Sequence, residues 1–226
     1  MAARSMLRAR TFAFDRRSER PATTLAPCNA ASAQARRVGS VSAGCRSADG
    51  APRTWQDRDV STANLTRAET AIRASTVRVH AYRVELDLRS APDPGVAGFT
   101  STTTIEFTCT GGQTWLDFLG ESVESVTVDG VPTAVSYDGA RIALRGLGER
   151  SVVTVVATGL YSRSGEGLHR FVDPADGQTY LYTQYEPADA RRVFACFEQP
   201  DLKAPFTFEV FAPDGWQVVS NQVVAQ

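Results

Sequence analysis

A chain of 226 residues, 42% hydrophobic and 22% charged, has the size and composition of one sizeable globular domain or two small ones. No run approaches the ~18 apolar residues of a membrane-crossing helix, and Cys28, Cys45, Cys109 and Cys196 form neither a CxxC pair nor a zinc-ribbon spacing. A membrane-spanning helix, a disulfide-dense scaffold and, with only the distant His80 and His169, a histidine-rich metal centre are therefore disfavoured.

The net charge of -1 hides two unlike halves. Residues 1–60 carry eleven Arg against five acids, whereas the remainder carries thirteen basic and twenty acidic side chains. Residues 1–59 are rich in Arg, Ala and Ser and show neither helical nor strand periodicity. Such a segment buries too little surface to offset ~1–2 kcal/mol of backbone entropy per residue, which predicts disorder. It lacks the hydrophobic core of a secretory signal, and its Arg16-Arg17 and Arg36-Arg37 pairs are too isolated for a nucleic-acid arm. A transit peptide fits its composition better. A blander reading is an over-extended start: 23 of the 24 basic residues are Arg, as in a GC-rich coding sequence, and Val60 resembles a natural beginning.

Residues 60–76 are expected to form a linker and short helix. Asn64 or Thr66 is a candidate cap, Glu69 stands three residues after Thr66, and Leu65, Ala68, Ala71 and Ile72 give one weak apolar face. From Val77 the period changes to two. Tyr82, Val84, Leu86 and Leu88 alternate with Arg83, Glu85 and Asp87, and Thr103, Ile105, Phe107 and Cys109 share a second strand face. Shorter strands follow at 114–118, 123–128, 135–137, 141–144 and 151–157, separated by Asp129-Gly130, Asp138-Gly139 and Gly146-Leu147-Gly148. A later group covers 179–184, 206–212 and 217–220. This rhythm predicts an all-β fold, an antiparallel sandwich with one or two short helices, over residues 77–226.

The segment from Gly165 to Pro205 breaks that rhythm. Gly165–Phe171 reads as a loop leading into Tyr180–Pro187, where Gln184 and Glu186 lie two residues apart on one strand face. Pro187 ends the strand and opens a short helix through Arg191–Phe197, with Asp189 in its first turn. On pattern alone a Gln-x-Glu at a strand end is a solvated surface pair. Cys196 between aromatics is a buried thiol rather than a nucleophile, and His169 is a loop or packing residue. Paired carboxylates also fit a glycosidase, but no sugar-stacking cluster accompanies them.

The order Gln184-Tyr185-Glu186-Pro187, then Ala190-Arg191-Arg192-Val193-Phe194-Ala195-Cys196-Phe197-Glu198-Gln199-Pro200, resembles the amino-terminal domain of the aminopeptidase N family of zinc metallopeptidases. Lys203-Ala204-Pro205-Phe206, Trp216–Asn221 and the early strand Val79–Leu86 extend the resemblance over about residues 77–226. Ala195 stands where the family usually has Pro, and Glu198-Gln199 where it usually has Asp-Glu.

The resemblance implies a saddle-like β domain that caps a catalytic domain. It implies that Glu186 accepts the free α-ammonium of a peptide substrate and that Gln184 lines the pocket for the first side chain. The zinc of such an enzyme would be held by ligands outside these residues, because neither the family's HExxH helix nor its GxMEN loop occurs here. The expectation is thus the substrate-recognition portion of a cytoplasmic zinc aminopeptidase, truncated before its catalytic domain and inactive alone. Its partners would be peptide amino termini and the missing catalytic domain, with no nucleic acid or membrane. The alternative is a non-catalytic β-sandwich that binds a protein partner. Because Phe194, Phe197 and Phe206 lie near the proposed site, they are expected on an exposed apolar surface.

Overall fold

The computed structural model describes residues 64–220 and the backbone of residues 4–9. The sequence expectations for residues 1–3, 10–63 and 221–226 fall outside the described residues. Thr66 caps helix α1 (Arg67–Thr76) in a reciprocal capping box: its hydroxyl accepts from the Glu69 backbone N–H while Glu69 accepts from the Thr66 backbone N–H. The expected apolar face of α1 does not dock. Ile72 is exposed and the buried residue of the helix is Arg73.

Strand β1 is Arg4–Ala9. After the helix, β2 (Val77–Asp87), β3 (Gly98–Cys109), β4 (Gln113–Asp117), β5 (Ser122–Val128), β6 (Val131–Thr133) and β7 (Arg141–Arg145) follow in turn. Next come β8 (Arg150–Leu160), β9 (Gly167–Val172), β10 (Thr179–Gln184) and β11 (Phe206–Phe211). Seven of them form one sheet in the order β1-β11-β2-β3-β8-β5-β6, and β4–β7 and β9–β10 form two-stranded ladders. Among the described residues the fold is all-β with one α-helix, as the alternation predicts.

The period-two pattern holds where one face is buried. Tyr82, Val84 and Leu86 of β2, Ile105 and Phe107 of β3, and Val153 of β8 enter a core shared with Leu116, Ile142 and Leu144 of the β4–β7 ladder. Asp129 and Gly130 both take positive φ, 52° and 80°, as a two-residue turn between twisted antiparallel strands requires.

Several details differ from the sequence expectation. β11 runs parallel to β2, so the sheet is mixed rather than purely antiparallel. The edge of β11 pairs with Arg4–Ala9, inside a segment whose composition predicts disorder. Pairing supplies that strand with partners for its backbone groups, which composition does not foresee. Tyr137 makes an isolated bridge to Ile142 in place of a strand at 135–137, and residues 217–220 are not a strand. Gly167–Val172 is a strand and not a loop, because its ladder partner is β10.

Candidate functional site

The β9–β10 hairpin carries the residues singled out by the sequence. Across it Phe171 faces Tyr180, His169 faces Tyr182 and Gly167 faces Gln184, so these three pairs share one surface. Phe171, Tyr180 and Tyr182 are 46%, 49% and 51% exposed, and the His169 and Tyr182 rings lie 4.8 Å apart. Gln184 therefore ends an aromatic stripe. Tyr185 turns the other way, half-buried and edge-on to Phe194 at 5.9 Å. Burial raises its phenol pKa above the ordinary value. Glu186 is exposed again, so the structure brings Gln184 and Glu186 to the surface on either side of a residue anchored in the body. The Glu186–Pro187 peptide is cis.

Gly167 allows the hairpin to sit against the segment that follows. Its φ is +67°, and a Cβ there would meet Cβ of Arg192 at 2.9 Å. Instead of the expected helix through Phe197, the chain makes a 3₁₀ turn at Ala190–Arg192 only. Asp189 stands at its start and bonds the Arg192 guanidinium at 2.6 Å, without capping the turn through its side chain.

Beneath this turn lies a buried polar network. The Arg191 Nε donates to the Ala188 carbonyl at 2.9 Å and its Nη2 donates to Asn64 Oδ1 at 2.8 Å, while its backbone N–H donates to the Glu198 carboxylate at 2.7 Å. Glu198 N–H donates to Asp117 Oδ2 at 3.0 Å, and the same oxygen accepts from Arg73 Nη1 at 2.7 Å, with both side chains of that ion pair fully buried. Gln199 accepts from Arg73 Nε at 3.0 Å and donates to the Thr70 carbonyl at 3.1 Å. Arg73 also lies over the Trp115 and Phe197 rings, at 5.0 and 5.6 Å. Glu198 thus joins the turn to β4, and Gln199 reaches α1.

Burial raises the Glu198 pKa, opposed by the Arg191 N–H it accepts, and burial pushes the Cys196 thiol well above its ordinary value. Cys196 is a packed thiol, 3% exposed, whose backbone pairs with Asp117. The expectation of an exposed phenylalanine surface is corrected: Phe194 and Phe197 are 2% and 5% exposed, and Phe206 is partly buried, stacked on Tyr82 at 4.3 Å. They complete the core instead. Among the described residues the large exposed aromatics are those of the hairpin, for which the Tyr180-Tyr182-Gln184 alternation was the available signal.

Between the hairpin and β11 runs an apolar groove of about 820 Å³, lined by Leu86, Leu88, Tyr180, Phe208, Trp216 and Val218 among others, with no charged side chain. It offers packing surface and no carboxylate, imidazole or amine. Among the described residues no three His, Cys, Asp or Glu side chains converge as a metal site, so they do not supply a zinc ligand set. No helix among them is long and apolar enough to cross a membrane.

The sequence family described as the peptidase M1 N-terminal domain matches residues 150–226, which include the whole hairpin and turn. An aminopeptidase N of Streptomyces lividans is 50% identical over 163 residues, covering 70% of this chain and 19% of that protein. A probable aminopeptidase 1 of Saccharolobus solfataricus is 34% identical over 109 residues, covering 48% of this chain and 14% of its own length. The chain spans a fifth or less of these relatives. The crystal structure of Legionella pneumophila aminopeptidase A in complex with aspartic acid shares the fold, with a TM-score of 0.50 at 12% identity over 60% of this chain and 16% of that one. Half of 163 aligned positions identical to an aminopeptidase N, and a family match spanning the signature region, identify residues 150–226 as a peptidase M1 N-terminal domain.

Proposed function

We propose that this domain recognises the amino terminus of peptide substrates for a zinc aminopeptidase, with Glu186 accepting the α-ammonium and Gln184 lining the pocket for the first side chain. The observation that supports this most is the exposed pair at the end of β10, flanking the anchored Tyr185 and standing on a buried network. An exopeptidase must tell a chain end from an internal bond, and a carboxylate facing an ammonium makes that distinction by a charge-assisted hydrogen bond.

In this chain Glu186 is open to water, where its pull on an ammonium is weakened by solvent and salt. Its full strength requires desolvation by the remainder of the enzyme. The exposed stripe of Phe171, Tyr180 and Tyr182 supports a partner surface beside Gln184, which we assign to the catalytic domain. Zinc and the hydrolytic chemistry would reside in that domain, and the isolated chain would bind amines weakly and hydrolyse nothing. The role of this chain's own residues is to bind and orient.

In the full-length protein that carries this domain, Glu186→Ala is expected to leave the bound ammonium unpaired, at ~2–5 kcal/mol. That equals a fall of roughly 30- to 4,000-fold in kcat/KM on an aminoacyl anilide. Glu186→Gln should be milder, and Gln184→Ala should shift side-chain preference more than rate. An unchanged kcat/KM for Glu186→Ala would return the pair to an ordinary solvated surface.

A further inference from the structure

We infer that Arg191 is the positioning residue for Glu186, holding the turn that carries the carboxylate by tying it at once to the α1 leader, to Glu198 and to the loop after β4. The inference rests on the recognition role proposed for Glu186.

Arg191 is buried, yet every contact named for it is directional. Its guanidinium grips the carbonyl of Ala188, two residues after Glu186, and reaches Asn64, which is 127 residues earlier in the chain. Its own N–H is held by Glu198 and its own carbonyl accepts from Leu119 N–H at 2.7 Å. Asp189 N–H closes the turn by donating to the Tyr185 carbonyl at 2.8 Å, so the span from Tyr185 to Ala188 is fixed at both ends.

Glu198 and Leu119 are in turn fixed. Glu198 N–H bonds Asp117, which pairs with the Arg73 of α1, and the Asp117 backbone is bridged to Cys196. Position therefore passes from the helix, through Asp117 and Glu198, to Arg191 and the Ala188 carbonyl. Glu186 itself is solvent-exposed, so its backbone is what sets where its carboxylate points. A planar guanidinium is suited to this because its fork binds two acceptors in fixed directions, as a lysine ammonium does not. Misplacing a binding group by about 1 Å costs up to roughly a hundred-fold, so the turn's placement matters to recognition even though Arg191 touches no substrate.

The test uses the full-length protein and two competitive inhibitors that differ by one group: leucinamide and its deaminated counterpart. The inhibition constant of the deaminated compound divided by that of leucinamide reads the contact to the ammonium and is insensitive to a general loss of folded protein. Arg191→Met should lower that ratio about ten- to a hundred-fold. Arg191→Lys should recover only part of it, and the Glu186→Ala/Arg191→Met double variant should be no worse than Glu186→Ala alone. Asn64→Ala, which removes one tie from an exposed position, should lower the ratio less and serves where Arg191→Met does not fold. If Glu186→Ala leaves the ratio at its wild-type value, the recognition reading itself fails. If Glu186→Ala abolishes it while Arg191→Met, or Asn64→Ala in its place, keeps the wild-type ratio, the positioning role alone is overturned.

Discussion

The sheet at β2, β3 and β8 and the segment from Gln184 to Gln199 share one core, into which Val193, Phe194 and Phe197 pack, but the segment adds a buried polar network to that packing. In the sheet, Val84, Ile105, Phe107 and Val153 are wholly buried and pack without direction. In the segment, Arg191, Glu198 and Gln199 are fixed by hydrogen bonds of 2.7 to 3.1 Å to groups on α1, the α1 leader, β4 and each other. Apolar packing tolerates repacking of similar volumes, whereas a polar network admits one geometry or leaves groups unpaired. That difference suits the proposed role of the segment, to hold two exposed side chains in place.

The largest test of this contrast is to break the buried pair. Arg73→Met leaves the Asp117 carboxylate unpaired in the interior and should cost ~3–5 kcal/mol, read by denaturant unfolding of this chain. A loss below ~1 kcal/mol would show that α1 and the turn are not coupled through this pair. Gly167→Ala comes next. The left-handed backbone costs ~1–2 kcal/mol for a non-glycine residue, and the Cβ contact with Arg192 adds to it; a neutral substitution would show that the hairpin does not press on the turn. Ile105→Val in the sheet should cost only ~0.5–1.5 kcal/mol, with no change in substrate discrimination by the full-length protein.

Titration separates the regions more finely. Burial raises the Glu198 pKa above 4.5, so the stability tied to its protonated form is complete below that pH and is lost as pH rises through the raised value. Glu198→Gln should remove that loss. Glu69 has the opposite sign: the Arg141 guanidinium, 2.5 Å away, lowers its pKa to about 2, so its contribution is present above pH 4.5 and lost on acidification. As a partly exposed pair it should contribute under ~1 kcal/mol. Melting curves of Glu198→Gln and Glu69→Gln across pH 2 to 7 should therefore meet the parent at the acid end and separate from it as pH rises, Glu198→Gln upward and Glu69→Gln downward; parallel curves would contradict both assignments.

The same contrast explains what the sequence made legible. Tyr82, Val84, Leu86 and Leu88 announce β2 because burying one face of a strand forces a period of two, and Thr66 with Glu69 announces α1 because a cap is local. Gly167–Val172 gives no such signal, since its partners lie in β10 and its exposed end is aromatic. The parallel register of β11 on β2 joins residues more than a hundred positions apart, which no local pattern encodes. Gln184 and Glu186 stood out by resemblance to a family and not by periodicity. Their support was hidden for a physical reason: Arg73 with Asp117, and Asn64 with Arg191, are polar pairs made by the fold across 44 and 127 positions.

With Glu186 as the proposed amine anchor, recognition and stability fall to different residues of one segment. Glu186→Ala, with kcat/KM on an aminoacyl anilide measured in the full-length protein and the melting temperature measured on the same preparation, tests it directly. The expected result is a fall of at least roughly 30-fold in kcat/KM with melting unchanged within about 1 °C. A variant that melts several degrees lower while retaining wild-type kcat/KM per folded molecule would contradict it.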